Sequence, residues 1–347
     1  MTKKVGIVTV HKNTNYGANL QVFASYKYLN GLGFDCKIVD YTIPEHEKSN
    51  YLFSWLKQSW DGETNKSFSR KIKLGIALIL SANWKRKRLK SFRSFRKNEV
   101  RLTKTVNEIA DVNSLDIDTV VCGSDQIWNP DIIGSINPMF FGDIRGIKNK
   151  IAYAPSVGKE KYIDSDELKV KNLLEKLDYI SVREEDTAKY LSTLTDKKIE
   201  TVCDPVFLLD KIEYDKVLSK RKIKGDYVLL YSVIHNEELT RVAQDYAAKR
   251  GLKLVEICSA KEKGAKHKQI LTYGPAEFLS ALKYAKTIFT NSFHGTAFSL
   301  IFEKDFYVFN NKSRGSIITN VLSKAGALER LISSNVESDF APIDYSV

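Results

Sequence analysis

The sequence predicts an α/β fold in which two Rossmann-like, doubly wound domains follow one another along the chain. Three observations carry this. Short apolar runs alternate with helix-period segments, the pattern of parallel strands joined by crossover helices. The alternation is interrupted by one strongly basic stretch and then restarts. At 347 residues, the chain also exceeds the ~250–300 residues beyond which single cores stop growing. The expected domains are 1–175, with a basic helical insertion at about 45–105, and 176–347.

Val5 to Val10 is a continuous apolar strand. The polar loop His11 to Tyr16 leads into a helix from about Ala18 to Leu29, closed by Gly31 and Gly33. Phe34 to Tyr41 supplies the next strand and completes a βαβ unit. Asp118 to Cys122 reads as a buried strand ending in the loop Gly123-Ser124-Asp125-Gln126, and Lys150 to Ala154 and Tyr179 to Val182 read as two more. The pattern restarts with strand Tyr227 to Val233, an amphipathic helix Glu237 to Arg250 ended by Gly251, and strand Lys253 to Ile257. A helix over Pro275 to Lys286, strand Thr287 to Thr290, a helix carrying His294, strand Phe306 to Phe309 and a helix over Ile317 to Ala325 complete the second half. Two such halves imply a cleft between them, with ligands at the carboxyl ends of the strands.

The net charge of +12 is localised. Residues 66–104 hold fourteen Lys or Arg and one acid, Glu99, so this stretch carries +13 and the rest of the chain −1. Such a patch seeks an anionic surface. Leu74 to Ala82 is apolar but much shorter than the ~20 residues that span a bilayer. Leu89, Phe92 and Phe95 can share one face of a helix whose other faces are cationic. Two readings stay open: contact with an anionic membrane surface through residues 66–104, or a cap whose aromatic face packs on the protein. No nucleic-acid fold signature accompanies the patch, so nucleic acid is not an expected partner.

The N-terminus runs directly into a strand, without an apolar signal region, and the four cysteines are scattered without C-x-x-C or metal-ligand spacing. A reduced, cytoplasmic protein without a metal or cofactor is expected, with the inner face of the cytoplasmic membrane as its place if the basic stretch binds lipid.

Several motifs follow strand ends. Asn291 and Ser292 are good N-cap residues, placing His294 and Gly295 in a helix's first turn, where free N–H groups and the dipole favour an anion. A titratable imidazole there suits acid chemistry on a phosphate ester. In Asn13-Thr14-Asn15-Tyr16-Gly17-Ala18-Asn19, one glycine and three amides lead from strand to helix; this is not a dinucleotide fingerprint. Ser124, Asp125, Gln126 and Asn129 surround Trp128, giving paired donors and acceptors beside an indole that offers a sugar a stacking face or anchors a turn. Arg183 stands past a strand end, able to grip an anion bidentately or to pair with Glu184, Glu185 or Asp186. Lys312 and Arg314 follow a further strand. His11, His46, His235 and His267 read as solvated loop residues, and Cys203-Asp204-Pro205-Val206 as structural, a strand ending in an Asp-Pro turn.

Together the segments NYGANLQ (15–21), GSDQIWNP (123–130), YAPSVG (153–158), ISVRE (180–184), CDPVFLL (203–209) and GPAEFLSALKYAKTIFTNSFHGTAFSLIF (274–302) resemble the polysaccharide pyruvyl transferase family over most of the chain. The resemblance implies a GT-B-like arrangement and transfer of pyruvate from phosphoenolpyruvate, as co-substrate, to two hydroxyls of a sugar in a cell-surface polysaccharide or its lipid-linked precursor. It implies that His294 is the catalytic acid/base and that Arg183 binds the donor, with Ser292, Gly295, Lys312 and Arg314 completing the donor cradle. Asn15, Gly17, Asn19, Ser124, Asp125, Gln126 and Trp128 are expected to face the acceptor. Some characterised members have arginine two residues before the histidine, where this chain has Ser292. Alternative readings are a glycosyltransferase using a nucleotide sugar and a non-catalytic saccharide-binding protein of the same fold.

Overall fold

In the computed structural model, residues 3–41, 43, 68–262, 264–309, 315–333, 343 and 345 are described; for 68–81, 315 and 316 this concerns the backbone alone. His46, Lys312 and Arg314 lie outside the described residues.

The first sheet has seven parallel strands in the order β3-β2-β1-β4-β5-β6-β7. They are β1 (Lys4–Val8), β2 (Asp35–Tyr41), β3 (Leu102–Val106), β4 (Thr119–Asp125), β5 (Asn149–Pro155), β6 (Tyr179–Val182) and β7 (Ile199–Thr201). β1 lies between β2 and β4, with Val5 opposite Cys36 on one side and Thr119 on the other. Such strands are covered on both faces, which is why they read as unbroken apolar runs. Val5, Ile7, Cys36 and Ile38 pack with Val22 and Tyr26 of the helix Tyr16–Gly31. Val8, Val39, Val120 and Cys122 belong to a larger core with Trp128, Phe140 and Phe141.

The second sheet has six parallel strands in the order β10-β9-β8-β11-β12-β13. They are β8 (Tyr227–Tyr231), β9 (Lys253–Ile257), β10 (Lys268–Ile270), β11 (Thr287–Thr290), β12 (Asp305–Phe309) and β13 (Leu331–Ile332). Val228 and Leu230 pack with Leu239, Val242 and Tyr246 of the helix Glu237–Lys249. The expected pair of doubly wound domains is therefore present. In each sheet the strand order reverses once, between β1 and β4 and between β8 and β11, and the crevice at such a reversal is where open α/β sheets bind ligands.

The two compact units are Met1–Asn83 with Arg96–Leu208, and Trp84–Phe95 with Leu209–Val347. The boundary falls at Leu208/Leu209 and not at 175/176. β6 and β7 continue the first sheet, with Ile151 opposite Tyr179 and Ile180 opposite Ile199.

The basic insertion forms the helix Phe68–Glu99, whose stretch Trp84–Phe95 belongs to the second unit. Phe92 and Phe95 are buried. Arg88 is buried too and lies 5.3 Å from the Phe92 ring centre, and it donates to the carbonyls of Cys258 and Leu271 at 3.3 Å. Gly274 is required here, because a β-carbon on it would stand 2.7 Å from Ser91 Cβ. The aromatic face is thus protein core, while Arg86, Lys87, Lys90 and Arg93 are exposed. Insertion of that face into lipid is excluded, since it is already covered. Among the described residues no helix is long and apolar enough to cross a membrane.

Candidate functional site

In the second unit, the loops leaving β8 and β11 are stapled together at the strand reversal. Thr290 Oγ1 donates to the Tyr231 carbonyl at 2.7 Å. Asn291 accepts the Val233 N–H at 3.1 Å and donates to the Ile234 carbonyl at 2.9 Å. With Asn291 so engaged, the N-cap of the helix Phe293–Ile301 is Ser292, whose hydroxyl accepts the Gly295 N–H at 3.3 Å. Its carbonyl also accepts the Thr296 hydroxyl at 3.0 Å. His294 therefore sits in the first helical turn, 9% exposed, with its Nε2 buried and its ring edge-on to Phe293 at 5.0 Å. Gly295 admits no side chain: a β-carbon would stand 2.3 Å from Thr290 Oγ1 and 3.1 Å from Tyr231 Cδ1. The close approach of helix to strand that this glycine permits is what holds the imidazole at the reversal.

In the first unit the reversal is held by a closed ring of hydrogen bonds. Gln21 donates to Thr9 Oγ1 at 3.1 Å, Thr9 Oγ1 donates to the Ser124 carbonyl at 3.3 Å, and the Ser124 N–H donates to Gln21 Oε1 at 3.3 Å. Ser124 Oγ donates to the Ala154 carbonyl at 2.8 Å and lies 3.5 Å from Asp204 Oδ2. Asp204 Oδ2 in turn accepts from Arg183 Nη1 at 2.8 Å, and Arg183 Nε donates to Glu184 Oε1 at 2.9 Å. Ser124 and Arg183, expected at opposite substrates, thus join one network through Asp204. Burial opposes the guanidinium charge, but Glu184, Asp204 and Asp125 outweigh it and hold the group ionised well above its ordinary range. Beside β1, His11 Nδ1 lies 3.1 Å from the Thr9 carbonyl and its Nε2 3.1 Å from Asp40 Oδ1. Asp40 also accepts from Lys12 at 3.0 Å and Thr105 at 2.9 Å.

A family model described as polysaccharide pyruvyl transferase matches residues 15–313. The chain belongs to the polysaccharide pyruvyl transferase family. No curated protein matches it. Among solved structures, MnaA of S. aureus bound to UDP is 11% identical, covering 96% of this chain and 85% of its own, at a TM-score of 0.51; at such identity the likeness concerns the fold alone. UDP-N-acetylglucosamine 2-epimerase from Rickettsia bellii is 12% identical over 96% of this chain and 84% of its own, at a TM-score of 0.49. E. coli ADP-heptose lps heptosyltransferase II is 10% identical over 88% and 84%, at 0.39. The likeness to MnaA accords with the GT-B-like fold class read from the sequence of this pyruvyl transferase family member.

Several sequence expectations change. Trp128 offers no sugar platform: it is 1% exposed, stacks on Phe141 at 4.6 Å and donates to the Phe140 carbonyl at 2.8 Å. Asn19 is buried and braces its own loop, donating to the Asn13 and Asn15 carbonyls while accepting from Arg96 at 3.0 Å. Asn15 is the helix N-cap, accepting the Ala18 N–H at 3.1 Å, so Gly17 lies inside the first turn and not at the bend. Ser124 is fully buried, whereas Asp125 and Gln126 remain partly accessible. Ser292 uses its hydroxyl as the cap, taking the Gly295 amide out of reach of an anion. Arg183 has in-chain carboxylates, Glu184 among those foreseen and Asp204 not. His11 and His267 are paired, not solvated: the His267 side chain is 6% exposed and its Nε2 lies 2.9 Å from Glu256. His235 Nδ1 lies 3.4 Å from Glu262 Oε1. No group of three potential metal ligands occurs among the described residues.

Proposed function

We propose that the protein transfers pyruvate from phosphoenolpyruvate to two hydroxyls of a sugar in a cell-surface polysaccharide or its lipid-linked precursor. The observation that carries this reading is His294, held in a first helical turn at the strand reversal of the second sheet, within the family's own motif. The donor becomes electrophilic when its methylene carbon gains a proton, placing positive character on the carbon that bears the phosphate. A sugar hydroxyl adds to that carbon, the bond to the phosphate oxygen breaks, and a second hydroxyl closes the ketal. In this reading His294 supplies the first proton, and the helix start favours the donor's negative charge. The Ser292 cap leaves Arg314 and Lys312 as the cations proposed to replace the arginine found in some relatives. Asp125 and Gln126 are the better acceptor-binding candidates, and Arg183 and Ser124 act by shaping that edge.

Phosphate release from phosphoenolpyruvate, screened across sugar acceptors, tests the reaction. His294→Ala is expected to lower the rate by roughly 10²–10⁴-fold with an unchanged melting temperature. Nucleotide release from a sugar nucleotide would instead select the glycosyltransferase reading, and retention of full function in His294→Ala would select the binding-protein reading. We further propose that the exposed cations Arg86, Lys87, Lys90 and Arg93 draw the enzyme to an anionic membrane surface where a lipid-linked acceptor resides.

A further inference from the structure

The second sheet carries a concavity on the edge opposite His294. It has a volume of about 770 Å³ and lies where the strands begin, against the last turns of the helix Glu237–Lys249. Lys253 opens β9 and Lys268 opens β10, the neighbouring edge strand, while Lys224 precedes β8. Lys266 joins them at the rim. All four are exposed, and none has an ion-pair partner among the described residues. Glu277 is paired with Lys222 at 2.9 Å and Asp226 with Lys286 at 3.5 Å, while Glu256 is buried behind the concavity, 2.9 Å from His267 Nε2 and accepting from Gln269 at 2.6 Å. No acidic residue lines the concavity. The helix's carboxyl end contributes about −0.5 charge at most, and the N–H groups of Arg250, Gly251 and Leu252 already cap it. Four ammonium groups therefore set the sign of the field.

The floor is different in kind. Leu252, Leu254, Val255 and Ala247 make it largely apolar, with the His267 ring fixed between Glu256 and Gln244. A cationic rim over an apolar floor, in a volume typical of small-molecule sites, matches a compound with clustered phosphate charge on a flat or apolar body. A planar membrane cannot follow such a concave surface. We propose that this concavity is a second binding site, distinct from the His294 region, for a soluble ligand of about nucleotide size bearing two or more phosphate charges.

Calorimetric titration of the full-length protein with adenosine 5′-diphosphate, and separately with inorganic pyrophosphate, tests this. Expected are binding that weakens with salt, tighter for the nucleotide because of the floor, and a loss of at least tenfold in the K253Q/K266Q/K268Q variant with its melting temperature retained. Binding to the His294→Ala variant is expected to be unchanged, which separates this site from the proposed reaction centre. Absence of binding, equal binding to the triple variant, loss of binding in His294→Ala, or a charge-dependent preference for phosphatidylglycerol vesicles over both soluble probes would each overturn the proposal.

Discussion

A β-carbon at position 295 would collide with Thr290 Oγ1 and crowd Tyr231, both of which belong to the hydrogen bond that joins β11 to β8. Gly295→Ala is therefore expected to push the helix carrying His294 away from the sheet. The expected cost is about 1–3 kcal/mol, in the range for overpacked cores, read by urea denaturation, with activity falling further than stability. At the other sheet, burial alone would raise the Asp40 carboxyl, but hydrogen bonds from His11, Lys12 and Thr105 outweigh it and hold the group well below the ordinary carboxylate range. A carboxylate depressed in the folded state stabilises the fold above its unfolded value, about 3.9. That contribution drains away as the pH falls through the folded value. Asp40→Asn should thus be less stable than wild type at neutral pH, and the gap in unfolding free energy should narrow below about pH 4. A gap independent of pH would contradict this role. The histidines show what one sequence hides: the partners of His11 and His267 stand 29 and 11 residues away, so no local pattern announces them.

At the level of elements, the strands that the apolar pattern revealed are the interior ones: β1, β4, β5, β8 and β11 are each flanked on both sides. β3, β10 and β13 went unread, and all three are sheet edges. Edge strands are short and half-solvated, so they carry no continuous apolar run: β3 has the pattern exposed, partly buried, exposed, exposed, buried over Leu102–Val106. The insertion helix is the converse case. Its aromatic spacing was legible, but whether lipid or protein covered that face depended on where the helix lay. Phe92 is completely buried, so Phe92→Ala should cost about 3–5 kcal/mol and free the Trp84–Phe95 stretch. Faster proteolytic cleavage there, with unchanged cleavage elsewhere, is the expected readout.

For the whole molecule, the excess charge is confined to residues 66–104, and part of it is consumed by structure. Arg88 and Arg96 satisfy carbonyl and amide acceptors, while on the same helix stretch Arg86, Lys87, Lys90 and Arg93 are exposed to an outside partner. Binding to phosphatidylglycerol vesicles should thus fall with salt and be lost in the quadruple glutamine variant at those four positions. Survival of binding in that variant would remove the membrane from the proposal. The sequence by itself determined the two doubly wound sheets, because buried parallel strands must be apolar throughout, and it determined the family, because its motifs stand in a shared order. Only the tertiary structure decided which polar side chains remain for a substrate. Trp128 is spent on Phe140 and Phe141, Asn19 on Arg96, Arg183 on Asp204 and Ser292 on its own helix. Except for the cap, those partners come from separate segments, and a buried polar group must be satisfied by whichever segment the fold brings beside it.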